Sequence, residues 1–363
     1  MTGPSSGSPG RPGKVRPARL TDLSALGELS RLAQAEDSGA RSLGLPVAGP
    51  PIGVFTLFRL PLGAFRPHDR LYVHEEDGHL GGLLRVERDG HRDEWTIVEL
   101  DAIGLADAGD IRYRLVQACL RDVARRGAAR FHVACADAYG NVELFMQAGF
   151  VRYGDEIISF RPPERQLPAP LTEEEASRLG IRPVGQADAV ALFRLYGAVT
   201  PAPVQRLEIS RIADWELHGS GALMPRSSLT PILRFADVET FLQEALPGAA
   251  DTGTTGTSDP TVPVGFVQVG VAKEDQPHYL RVLVWPGADA GPLVRFGLGV
   301  IAARTERRGQ RHERGVIAPV RTYESPTEHR LEEEGFASIA TVTLLMKETL
   351  VRVAEPAMVP AVR

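Results

Sequence analysis

The stretch LADAGDIRYRLVQACLRDVARRG (105–127) decides how the chain is read. Ile111, Leu115, Ala118, Cys119 and Val123 recur at helical spacing, and Gly127 follows as a stop. EWTIVELDAIG, just upstream, has the β-branched and aromatic content of a strand, so the stretch is a strand-to-helix junction. A near-copy, GADAGPLVRFGLGVIAARTERRG, occupies 287–309. ADAG recurs at 106–109 and 288–291, and RRG at 125–127 and 307–309. The amides that open a helix have no intrahelical partner and attract anions. Two junctions therefore suggest two copies of a ligand site.

The repetition extends outward. VRPARLTDLSALGEL (15–29) matches IRPVGQADAVALFRL (181–195), aligning Arg16 with Arg182, Pro17 with Pro183 and Asp22 with Asp188. AGFVRY (148–153) is answered by EGFASI (334–339). An internal duplication is the strongest organisational reading. RPPERQLPAPL (161–171) splits the chain near its middle. The expected layout is a disordered tail at 1–13, one domain at 14–162, a linker at 163–180 and a second domain at 181–353. The second carries a flexible loop at 246–263, and 354–363 is a tail.

With 363 residues the chain exceeds one ordinary core, which agrees with two domains. Its formal charge of -5 gives no electrostatic reason for a nucleic acid or an anionic membrane as partner. Cys119 and Cys135 fall in apolar company and read as buried hydrophobes, not as a disulfide or metal pair. Nothing resembles a signal peptide or a spanning helix, so the expected location is a reducing cytoplasm. The nine histidines are scattered without metal-ligand spacing, and no metal is expected. GPSSG (3–7) matches a nucleophile pattern, but it lies in the tail without strand or helix.

In the first half KVRPA reads as a short strand, followed by a helix through Leu23, Leu26, Leu29 and Leu32. RLYVHEE and LGGLLRVERDG form a hairpin around Asp77-Gly78, and EWTIVELDAIG adds a strand. After the long helix come the strand RFHVAC, the helix NVELFMQA closed by Gly149, and the strand EIISFRP. The second half repeats this with PVGFVQVGVA and HYLRVLVW, a helix over 292–308, RGVIAP, TEHRLEEE and TVTLLMKETL. The order gives an α+β fold with a mostly antiparallel sheet.

VRPA opening the domain, ARRGAARFHVAC ending its long helix, and QAGFVRYGDE after its short one together resemble the GNAT family of acyl-CoA-dependent N-acyltransferases. The resemblance covers nearly all of 14–162 and, more faintly, 181–350. It implies two tandem GNAT-like domains, each a mixed, mostly antiparallel sheet flanked by helices. Acetyl-CoA would be the co-substrate and a small-molecule or peptide amine the acceptor. Neither acceptor identity nor oligomeric state is written in the sequence.

The family holds the coenzyme pyrophosphate on an Arg/Gln-x-x-Gly-x-Gly/Ala loop at the junction. Counting back from Gly127 places Asp107, Asp110 and Arg112 on that pattern, and counting back from Gly309 places Asp289, Pro292 and Val294 there. A carboxylate repels pyrophosphate, and proline has no amide hydrogen. The implied contacts in the first half are Gly109 and Ile111, with Arg112 and Arg114 supplying guanidinium groups. Gly297 and Gly299 would serve in a shifted register of the second half; packing glycines inside a helix are the plainer alternative.

Family members often place a proton-donating tyrosine four residues before the Gly-Phe pair. Phe145 and Leu331 stand there, with Tyr139 and Tyr323 nearby. Glu94 and Glu99 are the candidate bases, expected on opposite faces of their strand because their spacing is odd. Phe55, Phe58 and Phe65 read either as an acceptor-site wall or as core. The rival to an acyltransferase is a non-catalytic protein of the same fold, a ligand sensor or assembly partner that has lost coenzyme binding.

Overall fold

The computed structural model describes residues 13–35, 43–46, 69–88, 93–103, 108–138, 140–208, 211–216, 226–245, 263–273, 276–307 and 314–349. The expectations for the two tails, for 246–262, and for Phe55, Phe58, Phe65, Asp107 and Tyr139 fall outside them.

The first half runs β1 (Lys14–Pro17), α1 (Leu23–Ala35), β2 (Asp69–Glu76), β3 (His79–Arg88), β4 (Glu94–Ala102), α2 (Ala108–Arg125), β5 (Arg130–Ala136), α3 (Asn141–Gln147) and β6 (Val151–Arg161). The second runs α4 (Glu173–Arg178), β7 (Ile181–Pro183), α5 (Ala189–Val199), α6 (Ala202–Glu208), α7 (Ile212–Trp215) and β8 (Phe235–Gln243). It continues with β9 (Gly265–Ala272), β10 (His278–Val284), α8 (Gly291–Arg307), β11 (Val316–Arg321), α9 (Ser325–Glu333) and β12 (Ala337–Glu348). The short helices α4, α6 and α7 were not foreseen, since so few residues carry too little periodic signal.

The twelve strands among the described residues join one sheet in the order β1-β2-β3-β4-β5-β12-β6-β11-β10-β9-β8-β7. Only β4–β5 and β10–β11 pair parallel among the described strands. The last strand of each half crosses over. β12 pairs antiparallel with β5 and β6, and β6 pairs antiparallel with β11 and β12. Where two separate half-sheets were expected, hydrogen bonding is continuous.

Local chemistry explains the elements. Asp77 and Gly78 take positive φ (47° and 80°), the backbone of a tight hairpin turn. On α2, Ile111, Leu115, Val116, Cys119, Leu120 and Val123 are buried against β3, β4 and β5, and Gly127, at φ 92°, ends the turn. Each half opens on the same clasp. Arg16 donates to both oxygens of Asp22 at 2.7 and 2.9 Å, and Arg182 to both of Asp188 at 2.8 Å. Three cores follow. One lies under α2 and α3 and one under α8 and α9. The third, with Ala134, Ile158, Leu229, Leu233, Tyr279, Ile317, Val342 and Leu344, belongs to both halves.

Candidate functional site

Two parallel strands that part company leave main-chain groups without ladder partners, and both parallel pairs here part company. β4 pairs with β5 only from Glu94–Ile97 against Arg130–Val133. Beyond that point β4 stays with β3, while Ala134–Ala136 pair with β12. The pairing of β3 with β4 also slips: Val86 faces Ile97 and Arg85 faces Glu99, so Val98 has no partner on β3. This is a β-bulge, in which the extra residue drops out of the ladder.

The bulge overturns the expected placement of the two glutamates. It restores the alternation after Val98, so Glu94, Thr96, Glu99 and Asp101 share one face, while Trp95, Ile97, Leu100 and Ala102 turn to the core beneath α2. On the polar face Arg85 Nε lies 3.2 Å from Glu99. Glu94 is buried and enclosed by Arg226 at 2.9 Å, Arg130 at 3.4 Å and His132 at 3.5 Å. Arg226 comes from the second half; burial lowers its pKa to about 10.

The residue that sequence reasoning missed is Asp101. It is 4% exposed, and its Oδ1 has no hydrogen-bond partner among the described residues. Burial first, and the neighbouring Glu99 second, push its carboxyl up to about 8, against the pull of Arg112 and Arg85. A signal was present: an acid two residues after Glu99, at the end of an apolar strand.

The expected coenzyme contacts are arranged differently from the sequence reading. Gly109 is exposed in the first turn of α2, with open space where a side chain would be. Ile111 is core, lying over Gly82. Arg112 does not face outward: it is 3% exposed and donates to Asn141 Oδ1, and Asn141 donates in turn to the carbonyl of Ala136 at 3.4 Å. The helical phase decides this, because Arg112 follows Ile111 onto the buried side. Arg114 is half-exposed and ion-paired with Asp110 at 2.7 Å. Phe145 and Leu331 are buried core residues; Phe145 meets Phe150 edge-on at 5.3 Å.

The second divergence is occupied by protein. β10 pairs with β11 only at His278–Val316 and Tyr279–Ile317. Past it, Arg281 Nη1 donates to the carbonyl of Val282 on β10 at 3.3 Å and to that of Pro319 on β11 at 3.1 Å. The same guanidinium holds both oxygens of buried Glu324 at 2.6 and 2.7 Å. The β9–β10 register runs unbroken, so β10 has no bulge. Arg281 and Leu283, three and one residues before the strand end, stand where Glu99 and Asp101 stand in β4. At the start of α8 the Asp289 carboxylate accepts from the Gly291 amide at 2.9 Å and pairs with Arg330 at 2.7 Å.

Gly297 and Gly299 are inside α8, not at its start, which corrects the shifted-register expectation. A Cβ on Gly297 would lie 2.5 Å from Leu280, and one on Gly299 2.9 Å from the backbone of Pro170. They are packing glycines. Among the described residues no group of three or more His, Cys, Asp or Glu is placed to hold a metal, and no helix is long and apolar enough to cross a bilayer.

No family model matches the chain, and no curated protein matches it. Among solved structures, a tandem GNAT protein from the clavulanic acid biosynthesis pathway aligns over 94% of this chain and 100% of its own, with 14% identity and a TM-score of 0.53. The chain has the tandem GNAT fold. A GCN5-related N-acetyltransferase from Sphaerobacter thermophilus aligns over 93% of this chain and 95% of its own at 16% identity, TM-score 0.49. At 14% identity the first of these likenesses concerns the fold alone. Within this tandem GNAT fold the two halves differ in chemistry: one divergence carries a bulge and a buried acid, the other an internal ion pair.

Proposed function

We propose that the protein is an acyl-CoA-dependent N-acyltransferase whose single working site is the first half, with the second half architectural. The observation that carries this reading is the β4–β5 divergence, which has the Val98 bulge on one strand and Asp101 at its end. The thioester supplies an activated acyl carbonyl. A main-chain amide released from the ladder at Val98 can donate to that carbonyl as it gains negative charge. Asp101, as carboxylate, takes one proton from the acceptor ammonium and so frees the amine to attack, while Arg85 and Glu99 fix the surrounding field. The C–N bond forms as the C–S bond breaks, coenzyme A leaves as thiolate, and the second nitrogen proton reaches that thiolate through solvent. The open first turn of α2 offers its amides to the pyrophosphate, and the Asp110–Arg114 pair offsets the charge of the Asp110 carboxylate there. The acceptor is a small-molecule or peptide amine.

A second reading has its own support. Asp110 and Asp289 at the helix starts, and Phe145 and Leu331 in place of a tyrosine, favour a GNAT-fold ligand-binding or assembly protein that has lost coenzyme A. Calorimetric titration of the full chain with acetyl-CoA separates the two. The expected result is one molecule per chain at roughly micromolar Kd. Asp101→Asn should retain that binding while losing transfer to every amine that the wild type acetylates. Absence of binding by acetyl-CoA and by longer acyl-CoAs selects the second reading.

A further inference from the structure

The linker does more than join the halves. Pro170 lies against Gly299, close enough that any side chain there would collide with it, and α4 follows immediately. Between this segment, the β7–β8 edge and α8 is a cavity of about 780 Å³, within the range of small-molecule sites. It lies on the sheet face that α8 covers. Its floor is Phe241 and Phe296, edge-to-face at 4.8 Å, with Val300 and Leu171 beside them.

The cavity is electrically lopsided. At the end formed by the last turns of α8 stand Arg304 and Arg307, three residues apart and so on one side of the helix, with Glu239 as the sole carboxylate in the lining there. Arg304 holds Glu239 through two bonds of 2.6 and 2.7 Å. Arg307 is exposed and has no partner among the described residues. At the other end Arg182 is already held by Asp188 and Glu244, and Glu173 adds a further carboxylate. Asp237 also acts on Arg304, so Arg307 is the cation at that end not already offset.

We infer that this cavity is a binding site for a small amphipathic carboxylate, its apolar body on Phe241, Phe296 and Val300 and its anionic end between Arg304 and Arg307. Such a ligand ties linker, α8 and sheet edge together, which makes it an effector of the junction between the halves and independent of the first-half site. The probe is 4-phenylbutyrate, titrated calorimetrically into the full chain, with 4-phenylbutan-1-ol as the uncharged control. The expected result is saturable binding of one acid molecule per chain, about tenfold weaker with Arg307→Ala, lost when Val300→Trp fills the cavity, and absent for the alcohol. Melting curves of both variants serve to show that they remain folded. No saturable binding by the wild type, equal binding of acid and alcohol, or binding that survives Val300→Trp would each overturn the assignment.

Discussion

At the scale of single residues, the proposed division of labour between the halves rests on two buried ionisable groups. Asp101 has a folded pKa raised to about 8, above its unfolded value. Its protonated form is therefore favoured by folding. The contribution is complete below the unfolded carboxylate range and is lost as pH rises through about 8. Three outcomes follow from this one group. Transfer activity should climb with pH through about 8, and Asp101→Asn should remove activity by about a hundredfold or more. The same variant should be more stable than wild type at pH 9, by at least about 1 kcal/mol, as read in denaturant melts at pH 6 and 9. Equal stability at both values would remove Asp101 as the titrating group.

The other residue is Arg281, which with Glu324 bridges β10 and β11. Breaking a buried pair leaves one charge uncompensated, so Glu324→Gln should cost about 3–5 kcal/mol. It should leave acetyl-CoA stoichiometry at one per chain. Gain of a second binding event would mean that the plug, not the missing bulge and acid, is what silences that half.

At the scale of elements, the bulge in β4 has the largest consequence. It is one extra residue, Val98, yet it decides which face holds Glu99 and Asp101. Deleting Val98 would turn either Glu94 and Thr96 or Glu99 and Asp101 toward the core beneath α2. The expected outcome is severe loss of stability and of acyl transfer together, seen by circular dichroism and a coenzyme-release assay. Replacing Val98 with Ala, which keeps the count, should retain both within about threefold. In β10 the register is continuous and no comparable rearrangement arises.

At the scale of the whole molecule, strand exchange makes each half dependent on the other. β12 brings Val342, Leu344, Leu345 and Met346, all buried, into the gap between β5 and β6. Each such side chain is worth about 1.5–3 kcal/mol on burial, comparable together to the net stability of a domain. A fragment ending at 162 should therefore be unfolded or self-associated rather than a folded monomer. Size-exclusion chromatography and hydrogen exchange would detect this, and a folded monomer would contradict it.

Much of this was legible in the sequence because it rests on local periodicity. The helical face from Ile111 to Val123, the hairpin at Asp77-Gly78 and the Arg16–Asp22 and Arg182–Asp188 matches depend on residues close together in the chain. The repeated order of strands and helices identified the GNAT-like architecture for the same reason. What only the tertiary structure decided has long-range causes. Bulges come from pairing with a second strand, so alternation alone set Glu94 and Glu99 on opposite faces when they share one. Arg112 turned inward because of helical phase against a core, and the raised pKa of Asp101 comes from enclosure. The crossing of β6 and β12, and the Arg281–Glu324 bridge across 43 residues, are contacts between segments whose meeting no local pattern encodes.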